Sequence, residues 1–516
     1  MKHPNTDLYV EVLDTTLRDG EQTPGVSFTP DEKLDIVRML LRRLKVDRAE
    51  IGSARVSEGE REGVKKILDW SEIHDDPGKL EILGFVDGGR SVEWIRNVGG
   101  KVLNLLCKGS RAHCEIQLKK TPERHFADIR REVEKAASAG LRVNLYLEDW
   151  SGGIFDSFDY VLAQISALRD LPVERFMLCD TLGRLHPDEV TRGISLMTAA
   201  FPALRCDFHG HNDYNMAAAN ALAAVRCGIS GIHCTVNGLG ERAGNLDLAQ
   251  LTVAVNDLSS RRVRVVEKEL QHGSNLLQTL SGKRCAWNAP VIGSDVFTQT
   301  CGVHADGDRK GDLYCNRLLP ERFVRQRDYA LGKLAGKASI DRSLEVIGEG
   351  VISPELREKV LNEVIRLGDR KKAVTGADLP FIISNIMRTP DAIRMRIADF
   401  ESISHRHGLP KSRVTLEFDG VRVEAASSGD GGYDALIKAL RKCLKQFGMT
   451  MPKLLDYQVR IPPGGRTDAL VETTITWHGP DGRSIVTAGV DSDQLVAAAI
   501  ATEKMLNLML MGRNDG

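Results

Sequence analysis

The 516-residue sequence has no apolar run long enough to span a bilayer. Its first residues, Met1-Lys-His-Pro-Asn-Thr-Asp-Leu8, lack the apolar centre of a secretion signal. Both absences point to a cytoplasmic protein. Net charge is nearly absent as well, at -1 from 70 basic and 71 acidic residues, so neither a nucleic acid nor a membrane surface is an expected partner. The ten cysteines include no C-x-x-C pair and lie largely within apolar runs, as reduced buried thiols do. No G-x-G-x-x-G follows the first apolar run, which weakens the case for a doubly wound dinucleotide-binding sheet. What is present is a chain long enough for two or three domains.

From Leu8 to about Val255, short β-rich runs alternate with helical patterns. The runs are Tyr9 to Asp14, Arg48 to Ser53, Leu80 to Val86, Val102 to Cys107, Arg142 to Glu148, Arg175 to Thr181, Leu204 to His209 and Gly231 to Val236. Eight strands, each followed by a helix-sized segment, predict an α/β fold, a (β/α)8 TIM barrel. Asn288 to Leu319 reads as an irregular, functional loop, and Glu321 to about Arg388 as short helices interrupted near Gly348 and Pro380. Strands return from Lys411, with Asp419-Gly420 as a hairpin turn, and the sequence predicts a duplicated strand-strand-helix unit. The expected division is a catalytic barrel over 1–280, a helical linker region over 281–400 and a C-terminal α+β domain over 401–516.

Active sites of such barrels sit at the carboxyl ends of the strands. The first strand runs into Leu13-Asp-Thr-Thr-Leu-Arg-Asp-Gly-Glu-Gln-Thr23, which places Arg18 beside Asp19. Taken alone, that is equally a surface ion pair. The seventh strand ends in Phe208-His-Gly-His-Asn-Asp213, where residues two apart share a face, so His209 and His211 can reach one ion. The eighth runs into a Gly-rich loop, Asn237-Gly-Leu-Gly-Glu-Arg-Ala-Gly-Asn245. Strands 7, 8 and 1 are neighbours in a closed barrel, which brings Asp19, His209, His211 and Asn245 together. Two imidazoles, a carboxylate and an amide oxygen suit a divalent metal, Zn2+ first, with Mn2+ or Co2+ as alternatives. On this reading Arg18 and Asp19 should both face the metal site rather than each other. Tyr146 and Glu148 close the fifth strand, Thr181 closes the sixth, and Glu241 and Arg242 are a candidate pair orienting the loop.

Together the three motifs resemble the signatures of the DRE-TIM metallolyases, and within them the 2-isopropylmalate, homocitrate and citramalate synthases, over almost the whole length. The resemblance implies a homodimer that performs a Claisen-type condensation. The acetyl-CoA methyl group is deprotonated and attacks the keto carbon of a 2-oxo acid, and the thioester is then hydrolysed. It further implies that Arg18 and the metal polarise the keto oxygen and that Thr181 holds the 2-oxo acid carboxylate. Glu148 would work with His304, in Phe297-Thr-Gln-Thr-Cys-Gly-Val-His-Ala-Asp-Gly-Asp308, placed over the partner subunit's barrel. Asp306 and Tyr314 would complete the base network and the thioester end. Hydroxymethylglutaryl-CoA lyases share the barrel motifs but carry a reactive cysteine in the Gly-rich loop, and Gly238 to Gly244 has none.

The walls beside Arg18 on strands three to five would be Leu83, Leu106 and Tyr146. These bulky groups leave room for a methyl and crowd an isopropyl group. Pyruvate is therefore favoured, as in citramalate synthases, with 2-oxoisovalerate and 2-isopropylmalate synthesis the alternative. The stretch Gly332-Lys-Leu-Ala-Gly-Lys-Ala-Ser339 departs from the Gly-Lys-His-Ser-Gly usual in isopropylmalate synthases, in the same direction. The C-terminal unit resembles the family's amino-acid-binding regulatory domain. Tyr433, Asp434, Leu454, Tyr457, Ile461, Thr467 and Ala469 are its candidate effector contacts, for isoleucine, or leucine under the alternative.

Overall fold

The alternating runs close on themselves in the computed structural model, which describes residues 8–74, 77–311, 313–333, 335–346, 352–369, 379, 382–383, 394–460, 471–479 and 484–511. Eight parallel strands form the ring: β1 (Glu11–Asp14), β2 (Arg48–Ser53), β3 (Leu80–Phe85), β4 (Val102–Lys108), β5 (Arg142–Glu148), β6 (Val173–Asp180), β7 (Cys206–Gly210) and β8 (Gly231–Cys234). Pairing of β1 with both β2 (Leu13 opposite Arg48) and β8 (Asp14 opposite Cys234) closes the barrel, which excludes the open doubly wound sheet.

Helices cover the outside, so both strand faces are buried, and the strands read as near-continuous apolar runs. The helix Pro30–Arg38 shows how local sequence sets such a boundary. Glu32 N donates to the Thr29 hydroxyl and Thr29 N donates to the Glu32 carboxylate, at 3.3 and 2.8 Å, while Pro30 opens the first turn.

The barrel interior is unusually ionic at its base. Arg48 reaches Glu81 at 2.7 Å, Asp207 at 2.5 Å and Glu11 at 3.2 Å, while Arg175 meets Asp207 at 3.1 Å. Two residues further along these strands lie Glu50, Met177 and His209, one layer nearer the carboxyl ends.

The chain divides into two compact units, Met1–Val296 with Asn316–Gln326, and Phe297–Cys315 with the chain from Arg327. In the second unit, β9 (Thr298–Gln299) pairs with β10 (Asp328–Tyr329). The stretch expected to be irregular holds a helix, Gly302–Gly311. Its three glycines hide it from a propensity reading, yet Gly302 abuts Gly336 so closely that a Cβ there would lie 2.6 Å from the Gly336 Cα. Tertiary packing overrides local preference at that point. Helices Lys337–Val346 and Pro354–Asp369 follow around Ile340, Leu344, Val360 and Val364; the expected breaks at Gly348 and Pro380 lie outside the described residues.

The C-terminal domain is duplicated, and its first repeat has one strand more than the expected strand-strand-helix. Antiparallel β11 (Met395–His405), β12 (Gly408–Phe418) and β13 (Val421–Ser428) precede helix Gly432–Gln446. Likewise β14 (Leu454–Arg460), β15 (Val471–His478) and β16 (Ser484–Asp491) precede helix Gln494–Met511. β11 escapes a sequence reading because most of its residues are at least partly exposed and no apolar run marks it. It begins ahead of the expected domain start at 401. The β12–β13 turn is the expected Asp419-Gly420, with φ of 48° and 82°. One core joins both repeats, with Leu436, Leu440 and Leu444 packed among Ile475, Trp477 and Met505.

Candidate metal centre and substrate pocket

Asp19 lies in a tight turn after β1, where the Thr15 carbonyl accepts from the backbone N–H groups of Arg18, Asp19 and Gly20. The Thr16 hydroxyl accepts from Val236 N at 2.9 Å and ties that turn to the end of β8. Alternation along β7 aims both imidazoles at Asp19. His209 Nε2 lies 3.2 Å from Asp19 Oδ2 and His211 Nε2 lies 4.0 Å from it, with the two rings 5.1 Å apart. The Gly-rich loop folds back over the mouth, and His211 and Asn245 form a bridge. Gly244 takes φ of 85° there, and a Cβ on it would lie 2.0 Å from the Gly238 carbonyl oxygen, so only glycine fits.

The donor set fits a divalent cation. Asp19 Oδ2 and Asn245 Oδ1 are buried, and neither accepts a hydrogen bond of good geometry. One ligand atom each from Asp19, His209 and His211 lie within 4.8 Å of one another. Burial and the neighbouring His209 push the His211 pKa down to about 4, so at neutral pH its imidazole is uncharged and able to ligate. Burial alone would raise the Asp19 pKa, but Arg18 and His209 outweigh it and hold the carboxylate ionised.

One expectation fails here. Arg18 and Asp19 do touch, with Arg18 Nη1 3.1 Å from Asp19 Oδ2. A guanidinium this deeply buried needs counter-charges on several sides. Arg18 finds a second in Glu50, with Nε 2.5 Å from Oε2, and Nη2 donates to the Tyr146 hydroxyl at 3.3 Å. Glu50 is the main residue that sequence reasoning missed. A carboxylate in the middle of an apolar strand was the available signal, since buried charge needs a partner. Its other oxygen accepts from Asn104 Nδ2 at 2.8 Å.

Beside Arg18, the expected wall residues come together. Leu83 and Tyr146 are buried in one cluster with Leu13, Met177 and Cys179, and Leu106 packs against it. Thr181 Oγ1 accepts from Asp149 N at 2.8 Å, which leaves its own proton to donate. Glu148 is ion-paired to the buried Lys108, another residue the sequence reading did not single out. Arg242 meets Asp213 at 2.8 Å and the Thr181 carbonyl at 2.7 Å, closer than its expected partner Glu241 at 3.5 Å, so it clasps the loops after β6, β7 and β8. Beyond Asn245 a cavity of about 200 Å3 is lined by Asn237, Leu239, Gln250, Lys283 and Cys285.

In the second unit, His304 stacks on Tyr314, with ring centroids 4.1 Å apart, and Asp306 pairs with Lys310 at 2.5 Å. Asp308, not expected, anchors that segment: it accepts from Tyr314 N at 2.9 Å and binds Arg327. In the C-terminal domain, Tyr433 and Tyr457 from the two repeats lie ring to ring at 4.8 Å, Leu454 packs against the shared core, and Asp434 is engaged by Lys438 at 2.6 Å. Ile461, Thr467 and Ala469 lie outside the described residues.

The family model described as HMGL-like matches residues 9–281, the barrel and its metal-type cluster. The chain belongs to the HMGL-like family. The family model described as the LeuA allosteric (dimerisation) domain matches residues 373–510. The (R)-citramalate synthase of Methanocaldococcus jannaschii is 31% identical, over 98% of this chain and 100% of that protein. A provisional (R)-citramalate synthase of Methanopyrus kandleri is 33% identical, over 95% of this chain and 94% of that one. A 2-isopropylmalate synthase assigned provisionally in the same organism is 32% identical over 98% and 99%. Among these relatives the chain stands as an acyltransferase of the kind that makes an alkyl group from a transferred acyl group. Identity alone does not separate the two substrates. No helix among the described residues is long and apolar enough to cross a membrane.

Proposed function

We propose that the protein condenses acetyl-CoA with pyruvate to give citramalate and CoA, in the cytoplasm and toward isoleucine. The observation that carries this reading is a fixed guanidinium, Arg18, set between the metal-type cluster and a small apolar wall of Leu83, Leu106 and Tyr146. A pocket discriminates one methylene by only ~1–3 kcal/mol, so 2-oxobutyrate should react too.

A divalent ion held by Asp19, His209, His211 and Asn245, Zn2+ ahead of Mn2+ or Co2+, would supply Lewis-acid polarisation of the keto oxygen. The chain's own groups do the rest. Arg18 stays protonated and donates hydrogen bonds to the oxygen on which negative charge develops. The Thr181 hydroxyl donates to the carboxylate of the 2-oxo acid. A base takes a proton from the acetyl methyl group, the new bond forms between that carbon and the keto carbon, and water then cleaves the thioester to free the CoA thiol. His304, stacked on Tyr314 and with Asp306 nearby in sequence, is proposed as that base, working with Glu148 of the partner's barrel in a homodimer. Lys283, on the cavity beyond Asn245, offers charge suited to the CoA phosphates.

Thiol release from acetyl-CoA that depends on both a 2-oxo acid and a divalent metal tests the reading, and its absence would refute it. His304→Ala should lower turnover at least ~10-fold, a floor below the ~10²- to 10⁴-fold that a general base typically contributes, with metal content unchanged; wild-type turnover would remove His304 from the mechanism. Isoleucine at millimolar concentration should inhibit through the C-terminal domain, with leucine active instead if 2-oxoisovalerate is the substrate. If neither affects the rate, the regulatory proposal fails.

A further inference from the structure

His233, on β8, is buried and belongs to neither the metal cluster nor the substrate wall. Its Nδ1 lies 3.2 Å from the Tyr146 hydroxyl, and its Nε2 lies 3.6 Å from Asp207 Oδ2. The ring stands edge-on to Tyr146 and close to His209, at centroid distances of 5.5 Å from each. Asp207 is fixed from the other side by Arg48 and Arg175, so its charge and position belong to the ionic base of the barrel.

A carboxylate only accepts, so although the 3.6 Å approach is just beyond hydrogen-bond length, the negative charge of Asp207 favours the proton on the imidazole nitrogen that faces it. That leaves Nδ1 bare, able only to accept from Tyr146. The Tyr146 oxygen has one proton and three neighbours: His233 Nδ1, Glu50 Oε2 at 3.3 Å and Arg18 Nη2 at 3.3 Å. Arg18 can only donate. The hydroxyl therefore accepts from Arg18 and shares its proton between His233 and Glu50. Without His233, Glu50 would be the hydroxyl's only remaining acceptor among these neighbours, drawing it toward the Arg18 side.

We propose that His233 is a positioning residue which, as the Nε2-protonated tautomer, links Asp207 at the barrel base to Arg18 through Tyr146, and so sets how the small 2-oxo acid is held. The proposal rests on the condensation reading for its kinetic consequence and not for its tautomer. 15N NMR of the full-length protein labelled at histidine reads the tautomer directly. The expected result is a protonated Nε2 and an accepting Nδ1 for His233; a protonated Nδ1 would overturn the proposal whatever the enzyme does.

For the kinetic arm, thiol release by the wild type is established first, so that a missing reaction counts against the function alone. His233→Leu should lower kcat/KM for the 2-oxo acid ~10-fold or more, within the range that small misplacements cost. KM for acetyl-CoA and metal content should stay within about twofold. His233→Gln keeps an acceptor and a donor at the two ends and should recover most of the loss. The effects of His233→Leu and Tyr146→Phe should not multiply in the double variant, since both break one link. Equal loss in the Gln and Leu variants, or multiplicative loss in the double variant, would reduce His233 to a packing residue. Should His233→Leu not fold, the NMR result and the Gln variant still decide.

Discussion

Replacing Arg18 by Lys should lower kcat/KM for pyruvate about 10²- to 10³-fold, the usual cost of one oxyanion donor, while bound metal stays at the wild-type level. The guanidinium fork makes three contacts at once: Nε with Glu50, Nη1 with Asp19 and Nη2 with the Tyr146 hydroxyl. A lysine ammonium is one compact point on a flexible stem and cannot span those directions. It keeps the charge, so Asp19 and Glu50 retain a counter-ion and the barrel retains its fold. The loss therefore falls on the geometry toward the keto oxygen. Steady-state kinetics on metal-assayed protein measure it. An Arg18→Lys variant with wild-type kcat/KM would show that Arg18 serves only as a counter-ion for Asp19.

The second large effect is on metal. Asp19→Asn should weaken metal binding by more than the ~10–100-fold that loss of an outer-shell partner costs, with activity falling in proportion and partly returning at high metal concentration. The asparagine matches the carboxylate in shape but cannot supply its negative charge between two imidazoles. Removing the ion with a chelator should abolish thiol release in the wild type, and adding Zn2+, Mn2+ or Co2+ back should restore it. Wild-type metal content in Asp19→Asn would displace Asp19 from the ligand set.

The Asp19, His209 and His211 cluster was legible in sequence because it needs only two inferences, alternation along a strand and adjacency of strands 7, 8 and 1 in a closed barrel. The clustering of Leu83, Leu106 and Tyr146 was legible from alternation along the adjacent strands β3, β4 and β5. Lys108 and His233 were not, because each is defined by a partner on another strand that no local pattern announces, and Glu50, marked only by its charge within an apolar strand, takes its role from a partner just after another strand too. Glu50 meets Arg18 from another strand, and Lys108 meets Glu148. The helix Gly302–Gly311 was hidden because its glycines serve close packing against Gly336 rather than a loop. In β11 the missing signal is apolar alternation itself. The direct contact of Arg18 with Asp19 is not legible either, because one carboxylate meets two demands at once, facing the metal-type cluster and neutralising a buried cation.

On the proposed function, the pocket beside Arg18 takes the methyl of pyruvate and crowds an isopropyl group. Comparing kcat/KM for pyruvate and 2-oxoisovalerate with saturating acetyl-CoA and metal, read as released CoA thiol, tests it most directly. The predicted result is a preference for pyruvate of at least ~10-fold, the low end for small differences in an apolar pocket. A preference for 2-oxoisovalerate would rule out pyruvate as the substrate and make the protein a 2-isopropylmalate synthase.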